Sequence, residues 1–240
     1  MRKPPRRRIR QDVLTIDLEG REVPLIMRRN PRARRIILRL DPASDGAVVT
    51  LPPGAKPEEG LELARRKAIW LVRRLEALPP RVPFADGAEV PVLGVDHRVV
   101  HSTGRRGVVW RQDGEIHVAG RPEHLARRLA DWFRREARRQ ISPRAGAKAG
   151  QLGVRPGRIS LRDTRSRWGS CSSEGALSFC WRLVMAPEFV LDYVVAHEVA
   201  HLKFADHGPR FWRTVASLTG DVETARAWLH SHTERLHRYG

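Results

Sequence analysis

The stretch PEFVLDYVVAHEVAHLKFADHGPRFW, residues 187–212, places three histidines and one glutamate in a predicted helix and the turn after it. Proline is tolerated in the first turn of a helix, so Pro187 predicts where this helix begins. Residues four apart share a helix face, so His197 and His201 can present ring nitrogens to one point. Glu198 lies beside that face without overlapping it. The stretch therefore predicts a polar site on a helix.

Two histidines in this register can bind one metal ion, and the adjacent glutamate can hold a water molecule, as in the H-E-x-x-H arrangement of zinc peptidases. A catalytic zinc usually takes a third protein ligand, for which His207 is the candidate. Six residues of helix rotate about 240° net, so a continuous helix would point His207 away. We therefore expect the helix to end first, with a left-handed turn at Asp206 and a new start at Gly208 and Pro209.

Other interpretations of these residues stay open. The helix can carry two surface histidines while His207 caps a helix and no metal binds. Glu223, on a later helix, is the reserve third ligand. A thiol enzyme built on Cys171 and His197 is a further possibility, but it leaves the H-E-x-x-H pattern without a role. The remaining C-terminal histidines are expected on a polar helix face and need not bind anything: His230, His232 and His237.

The charge of the chain is unusual, with a formal net charge of +18 and a pI near 11.4. Such a surface attracts polyanions, so non-specific nucleic-acid affinity is one expectation. The alternative is that the many arginines reflect a GC-rich genome. No apolar run is long enough to span a membrane, and the N-terminus lacks an apolar leader segment. Only two cysteines are present. We expect a cytoplasmic protein that does not enter membranes.

Hydrophobic patterning predicts an α+β fold with a β-rich N-terminal half. Residues 1–12 are predicted to form a basic disordered arm, residues 13–120 a β-rich domain with one helix, and residues 121–240 an α+β domain. No internal repeat is evident. A long amphipathic helix is expected after the boundary near residue 120, and its buried stripe comprises Leu125, Leu129, Trp132, Phe133 and Ala137.

The segment SRWGSCSSEGALSFCWRLVMAPEFVLDYVVAHEVAHLKFADHGPRFW resembles the signature of the YgjP-like metallohydrolase family, which is related to SprT-like and WLM zinc proteases. The similarity is close over residues 165–215 and looser at RRNPRARRIILRLD and VLGVDHRVV. It implies a zincin-like catalytic domain in residues 121–240. It also implies one zinc ion per chain, with His197, His201 and His207 as ligands and Glu198 as general base.

Two positions depart from the family pattern. Cys180 stands where the family commonly has an asparagine, which puts any substrate contact of that asparagine in doubt. Asp206 stands beside the third histidine in place of an asparagine. Its carboxylate can either orient His207 or cap a turn. Neither departure removes a predicted metal ligand.

A substrate cleft is predicted beside the metal ligands. An extended peptide can pair with a strand edge through main-chain hydrogen bonds, and the candidate edge is formed by Trp168, Gly169, Ser170 and Cys171. Arg182 and Tyr193 are candidates for stabilising an oxyanion, although packing for Tyr193 and a surface or capping charge for Arg182 are the simpler interpretations. The alternative for Trp168 is an aromatic of the sheet core, together with Trp181.

The sequence is compatible with three functions. The first is a zinc metallopeptidase that acts on a protein or peptide, and the basic surface extends this hypothesis to proteins near nucleic acid. The second is a metal-dependent hydrolase of nucleoside triphosphates or other phosphorylated small molecules. The third is a non-catalytic nucleic-acid-binding protein with a structural zinc. Replacing Glu198 by glutamine separates the enzymes from the third function, because only the enzymes lose turnover while metal is retained.

Overall fold

The computed structural model describes residues 11–103 and 109–240, and the side chains from Val13 onward within those ranges. The predicted basic arm lies largely outside the described residues. The described chain has an α+β fold with three small sheets and six α-helices, which confirms the predicted class. It forms two compact units, the first ending at Pro79 and the second running from Pro80 to Gly240. Each unit has its own hydrophobic core.

The first unit contains a four-stranded sheet and two helices. Its strands are β1 (Gln11–Leu18), β2 (Arg21–Arg29), β3 (Ile37–Asp41) and β4 (Gly46–Leu51), in the order β1-β2-β4-β3. Helices α1 (Pro57–Arg66) and α2 (Ala68–Glu76) replace the single predicted helix, because Lys67 between them leaves helical geometry at φ −104° and ψ 14°. Leu71 and Leu75 are buried against the sheet core.

The second unit begins with another four-stranded sheet. Its strands are β5 (Glu89–Val92), β6 (Val95–Ser102), β7 (Val109–Gln112) and β8 (Glu115–Ala119), in the order β5-β6-β8-β7. Helix α3 (Leu125–Gln151) follows, after a short 3-10 segment. All five residues of its predicted apolar stripe are buried, which confirms that stripe.

The two four-stranded sheets have the same topology. In each, the first two strands form a hairpin, the second strand pairs in parallel with the fourth, and the third pairs with the fourth in antiparallel fashion. Two-residue hairpin loops with positive φ at both positions occur at Glu19–Gly20, Leu93–Gly94 and Asp113–Gly114. The structure therefore repeats a four-stranded sheet that is followed by helix, α1 and α2 in the first unit and α3 in the second, although the sequence shows no repeat.

The rest of the second unit carries the predicted site. Strands β9 (Ile159–Arg162), β10 (Gly169–Cys171) and β11 (Leu177–Cys180) form a sheet in the order β10-β11-β9, with β10 at an edge. A 3-10 segment (Trp181–Met185) leads to α4 (Glu188–Ala200), α5 (Pro209–Leu218) and α6 (Val222–Leu236). Within the described ranges, no helix is long and apolar enough to cross a membrane.

The units divide at Pro79, whereas the hydrophobic pattern of the sequence predicts a boundary near residue 120. The reason is the core: Val99 and Ile116 of the second sheet share one buried cluster with Phe133 of α3 and Leu191 of α4. The proline-rich segment LPPRVP at residues 78–83 marks the division in the sequence. Residue 120 instead lies where β8 passes through a short 3-10 segment into α3.

Helix α4 is buried on nearly all sides. Nine of its thirteen residues are buried, including Tyr193 and Glu198. A helix that is apolar all round belongs to the core of a domain. Because close-packed interiors resist displacement, side chains on α4 are held in fixed positions.

Candidate metal centre

Three histidines converge at the end of α4. His197, His201 and His207 each offer a ligand atom, and these atoms all lie within 4.8 Å of one another. The Nε2 atoms of His197 and His207 are 3.2 Å apart. Among the described residues, this is the one group of three or more histidine, cysteine or acidic side chains that is close enough to hold a metal ion.

The ring of His201 is oriented by the backbone. Its Nδ1 lies 2.9 Å from the carbonyl oxygen of Phe204. When Nδ1 carries the proton and donates to that carbonyl, the lone pair of Nε2 is left for a metal ion. A hydrogen bond from the second ring nitrogen to a carbonyl is a common support for histidines that bind metals.

His197 is held by packing. Its Nδ1 is buried and has no hydrogen-bond partner in the described part of the chain. Burial, together with the neighbouring His201 and His207, lowers the pKa of His197 to about 4. The imidazole is therefore neutral at neutral pH, which is the form that binds metals.

One pair of ligand atoms has the spacing of a tetrahedral zinc site. Zinc binds histidine nitrogen at about 2.0–2.1 Å, so two nitrogen ligands in a tetrahedral site lie about 3.3 Å apart. The observed separation of 3.2 Å between His197 Nε2 and His207 Nε2 agrees with that value. Three imidazoles leave a fourth position free in a tetrahedral site, as catalytic zinc requires.

Helix α4 ends before His207, as the spacing predicts. Its last residue is Ala200, and His201 forms the C-cap. The left-handed turn expected at Asp206 is wrong, because Asp206 is not among the described residues with positive φ. Instead, the Gly208 amide donates to Asp206 Oδ1 over 3.0 Å, which forms a side-chain-supported turn. Asp206 thus acts on the turn that carries His207.

Glu198 lies beside the histidines but outside the cluster. Its side chain is buried, and its carboxyl group rests against the backbone of Gly169 on β10. A Cβ atom at Gly169 would lie 2.5 Å from Glu198 Oε1. Burial raises the pKa of Glu198 to about 7, opposed by the positive charge of the exposed Arg167.

Phe211 and Trp212 pack against the three histidines and form what we call the aromatic floor, which the sequence patterns did not predict. Phe211 is fully buried, and its ring centroid lies 4.6–4.9 Å from those of all three histidines. Trp212 lies 5.8 Å from His197 and from His207, and Arg226 covers the Trp212 ring at 5.2 Å. The signal for this floor was present in HGPRFW, which places both aromatics within one helical turn after Pro209.

The predicted cleft residues fall into two groups. Gly169, Ser170 and Cys171 form β10, which lies at the sheet edge and beside α4. Tyr193 packs edge-on against His197 with a centroid distance of 6.0 Å, so it also lies at the cluster. Burial and the nearby Glu198 raise the pKa of the Cys171 thiol, which disfavours the thiolate that a cysteine nucleophile needs.

Trp168 and Arg182 are engaged elsewhere. The Trp168 ring stacks on His237, and its Nε1 donates to Thr233 Oγ1 over 3.3 Å. The buried Arg182 donates to Asp163 Oδ1 over 3.0 Å and to the carbonyl oxygens of Leu236 and Tyr239. The structure therefore shows Arg182 linking Asp163 to the C-terminal segment.

The reserve ligand and the C-terminal histidines also lie outside the cluster. Glu223 pairs with Arg226 over 2.9 Å. His232 stacks on Trp228 with a centroid distance of 4.2 Å. His237 is buried, so its expected place on a polar helix face is wrong; His230 is exposed as expected.

A comparison with protein families decides what kind of domain holds this centre. The model of the family described as YgjP-like, metallopeptidase domain, matches residues 34–232. The chain belongs to the YgjP-like family. Membership supports a metal-dependent peptidase or hydrolase in general and implies a divalent metal ion, typically zinc. Comparison with curated proteins and with solved structures returned no significant match.

Proposed function

We propose that the protein is a zinc-dependent metallopeptidase that hydrolyses peptide bonds. One observation carries this proposal: three histidine side chains converge within 4.8 Å, and a buried glutamate on the same helix adjoins them without joining the cluster. A structural zinc site is normally closed by four protein ligands, whereas a catalytic site keeps one position open. A set of three histidines without a fourth protein ligand among the described residues supports the catalytic alternative.

His197, His201 and His207 would hold the ion. Zinc in such a site supplies Lewis acidity, which lowers the pKa of water to about 7 and polarises a carbonyl group. The hydrogen bond to Phe204 fixes one ring, the turn at Asp206 positions another, and the floor at Phe211 supports all three. Preorganisation of this kind keeps the ligands in place without further rearrangement.

Glu198 would serve as the general base. As water forms its bond to the carbonyl carbon, a Glu198 carboxylate oxygen accepts the water proton. When the carbon–nitrogen bond breaks, the carboxyl group returns that proton to the leaving amine. The contact with Gly169 limits where the carboxyl group can move, so proton transfer occurs from one position.

The substrate would bind along β10. The outer edge of β10 is not paired with another described strand, so an extended peptide can add to the sheet through main-chain hydrogen bonds. Since Gly169 has no side chain, β10 approaches Glu198 closely, and a peptide bound along the edge of β10 would lie near the Glu198 carboxyl group. The Tyr193 ring packs against His197, and its phenol, whose pKa is raised further by burial, can donate a hydrogen bond there.

The family model that matches the chain describes a metallopeptidase domain, which favours a peptide over a nucleoside triphosphate as the substrate. Peptide hydrolysis is therefore the better supported chemistry. The predicted compartment and the predicted nucleic-acid affinity stay predictions.

The deciding experiment measures zinc per chain by mass spectrometry and hydrolysis of an unfolded protein substrate, in parallel. We expect about one zinc in the wild type, loss of zinc in His207→Ala, and retained zinc with abolished hydrolysis in Glu198→Gln. His230→Ala is the matched control, since His230 is exposed and lies outside the cluster. Full hydrolysis by Glu198→Gln, or full zinc in His207→Ala, contradicts the proposal.

A further inference from the structure

The single aromatic residue of the first unit, Trp70, lies on α2. Trp70 is 46% exposed, and the adjacent Ile69 is 59% exposed. Neither belongs to the core of that unit. Large apolar side chains exposed side by side indicate a binding surface more often than a solitary one does.

Cations surround Trp70. Residues three and four positions away on a helix are adjacent on its surface, and on α2 these positions after Trp70 are Arg73 and Arg74. Arg66, at the end of α1, and Lys67, in the break before α2, line the same concave surface as Trp70. An exposed aromatic ring surrounded by positive charges is the combination with which proteins bind single-stranded nucleic acids.

The face of the Trp70 ring is not covered by another ring or a cation in the described part of the chain. Within residues 11–103 and 109–240 it makes no aromatic stacking or cation–π contact. Lys67 and Arg73 form no ion pair in the same ranges. The ring and these two charges are thus available to a ligand. Arg66 has only a long, exposed contact to Glu62 at 3.6 Å, which contributes little.

Concave surfaces flank Trp70. One, of about 370 Å³, lies between the helices and the edge strand β3 and includes Arg35, Leu63 and Lys67. The other, of about 530 Å³, is lined by Ile69, Trp70 and the surrounding cations. Both include Trp70 and Lys67. An apolar wall with cations at its rim matches a nucleotide, which has an aromatic base and a negative phosphate.

The basic surface continues beyond the helices. The segment at residues 28–39 covers the end of β2, the connection that includes Arg35, and the start of β3, and it contains six arginines and no acidic residue. Five of those arginines are exposed. A chain of phosphates leaving the Trp70 concavity can therefore meet further positive charge.

We propose that the first unit binds single-stranded nucleic acid, with bases stacking on Trp70 and phosphates neutralised by Lys67, Arg73 and Arg35. This activity is separate from the peptidase function and does not depend on the metal centre. A single strand is required because the bases of a duplex are stacked on each other. A membrane surface fits less well, because α2 has nine residues and exposes only Ile69 and Trp70 as large apolar side chains.

The test is fluorescence anisotropy of a labelled oligothymidine of about twelve nucleotides with the full chain. The wild type should bind, and the logarithm of the association constant should fall with the logarithm of salt concentration at about −0.7 per phosphate contacted. Trp70→Ala should weaken binding by about tenfold or more, and Trp70→Phe by less, because phenylalanine can still stack. Circular dichroism checks that both variants are folded.

Two matched controls separate a local site from general electrostatic attraction. Phe189→Ala removes an aromatic that is 43% exposed in the second unit and should leave binding unchanged. Lys67→Glu and Arg135→Glu alter the net charge equally, but only Lys67→Glu should weaken binding strongly and reduce the salt slope.

Several results overturn the proposal. These are absence of binding at low salt, equal binding by Trp70→Ala and Phe189→Ala, and duplex binding as tight as single-strand binding. Trp70-dependent binding to anionic phospholipid vesicles, without binding to the oligonucleotide, also overturns it in favour of a membrane surface. Stacking on Trp70 predicts the opposite outcome in each case.

Discussion

Gly169 and Glu198 are in direct contact: a single added methyl group at position 169 would lie 2.5 Å from Glu198 Oε1. Glycine occurs there for a steric reason, because its φ is not in the left-handed region. The contact links the substrate edge of the small sheet to the proposed base on α4.

Gly169→Ala should therefore displace the Glu198 carboxyl group while leaving the three histidines in place. We expect hydrolysis to fall by about a hundredfold, the effect of a displacement near 1 Å at a reacting group. Zinc content should stay unchanged. Gly146→Ala is the control, since nothing lies within 4 Å of an added Cβ there. Full activity in Gly169→Ala would show that Glu198 tolerates the displacement.

Phe211 should affect both stability and metal affinity. Phe211→Ala removes a fully buried ring and should lower the free energy of unfolding by about 3–5 kcal/mol. It should also weaken zinc binding, because the rings of His197, His201 and His207 rest on it. Phe211→Leu fills most of the volume and should show smaller losses of both kinds. Chemical denaturation and chelator competition measure the two effects, and unchanged zinc affinity in Phe211→Ala would contradict the supporting role.

The turn at Asp206 gives a sharper test of the third ligand. Asp206→Ala removes the acceptor for the Gly208 amide, a hydrogen bond worth about 1 kcal/mol. Zinc affinity should fall about fivefold, measured against a chromophoric chelator. Asp206→Asn retains an acceptor oxygen and should bind zinc like the wild type. If Asp206→Asn binds zinc as weakly as Asp206→Ala, the negative charge of Asp206 contributes to zinc affinity and the turn alone does not explain its role.

Arg182 should act on stability without affecting the zinc site. Its guanidinium group binds the carbonyl oxygens of Leu236 and Tyr239 and the Asp163 carboxylate. Arg182→Met should lower the free energy of unfolding by about 3 kcal/mol, because buried acceptors lose a charged donor. Zinc content and the KM for peptide should be unchanged. A raised KM with normal stability would instead place Arg182 in the substrate cleft.

The ion pair between Asp163 and Arg182 should make the free energy of unfolding depend on pH. Burial alone would raise the pKa of Asp163, but the hydrogen bond and charge of Arg182 outweigh it and lower the pKa below its ordinary value of 3.8. A lowered pKa in the folded state means that the contribution to stability is fully present above the unfolded-state pKa. It is lost as pH falls through the folded-state value.

The stability difference between wild type and Asp163→Asn should therefore be constant from about pH 5 to pH 8 and shrink below about pH 4. Urea denaturation across this range measures it. A difference that grows on acidification would contradict the assignment.

The sequence was sufficient where a short-range rule decides geometry. Helical periodicity places His197 and His201 on one face, and rotation per residue requires α4 to end before His207. The mode of turning was not predictable in the same way. A left-handed residue and a side-chain hydrogen bond from Asp206 both reverse the chain, and the local sequence DHG permits either.

Long-range packing was harder to predict. Trp168 and Arg182 lie close in sequence to the small sheet, but each is bound by residues of the C-terminal helix segment, more than fifty positions away. Phe211 could have been suspected from its spacing after His207. The two sheets share a topology without a sequence repeat. Their hairpin loops require the same backbone angles but accept different residues, and Leu93 at positive φ is an example.

The four-strand topology occurs twice in the chain, and the two copies differ in the core to which they belong. In the second copy, the sheet and α3 share a core with α4, so substitutions there are constrained by the metal centre. The buried cluster of the first copy contains no described residue of that core. A substitution on the surface of α1 or α2 therefore leaves the residues packed around α4 unchanged.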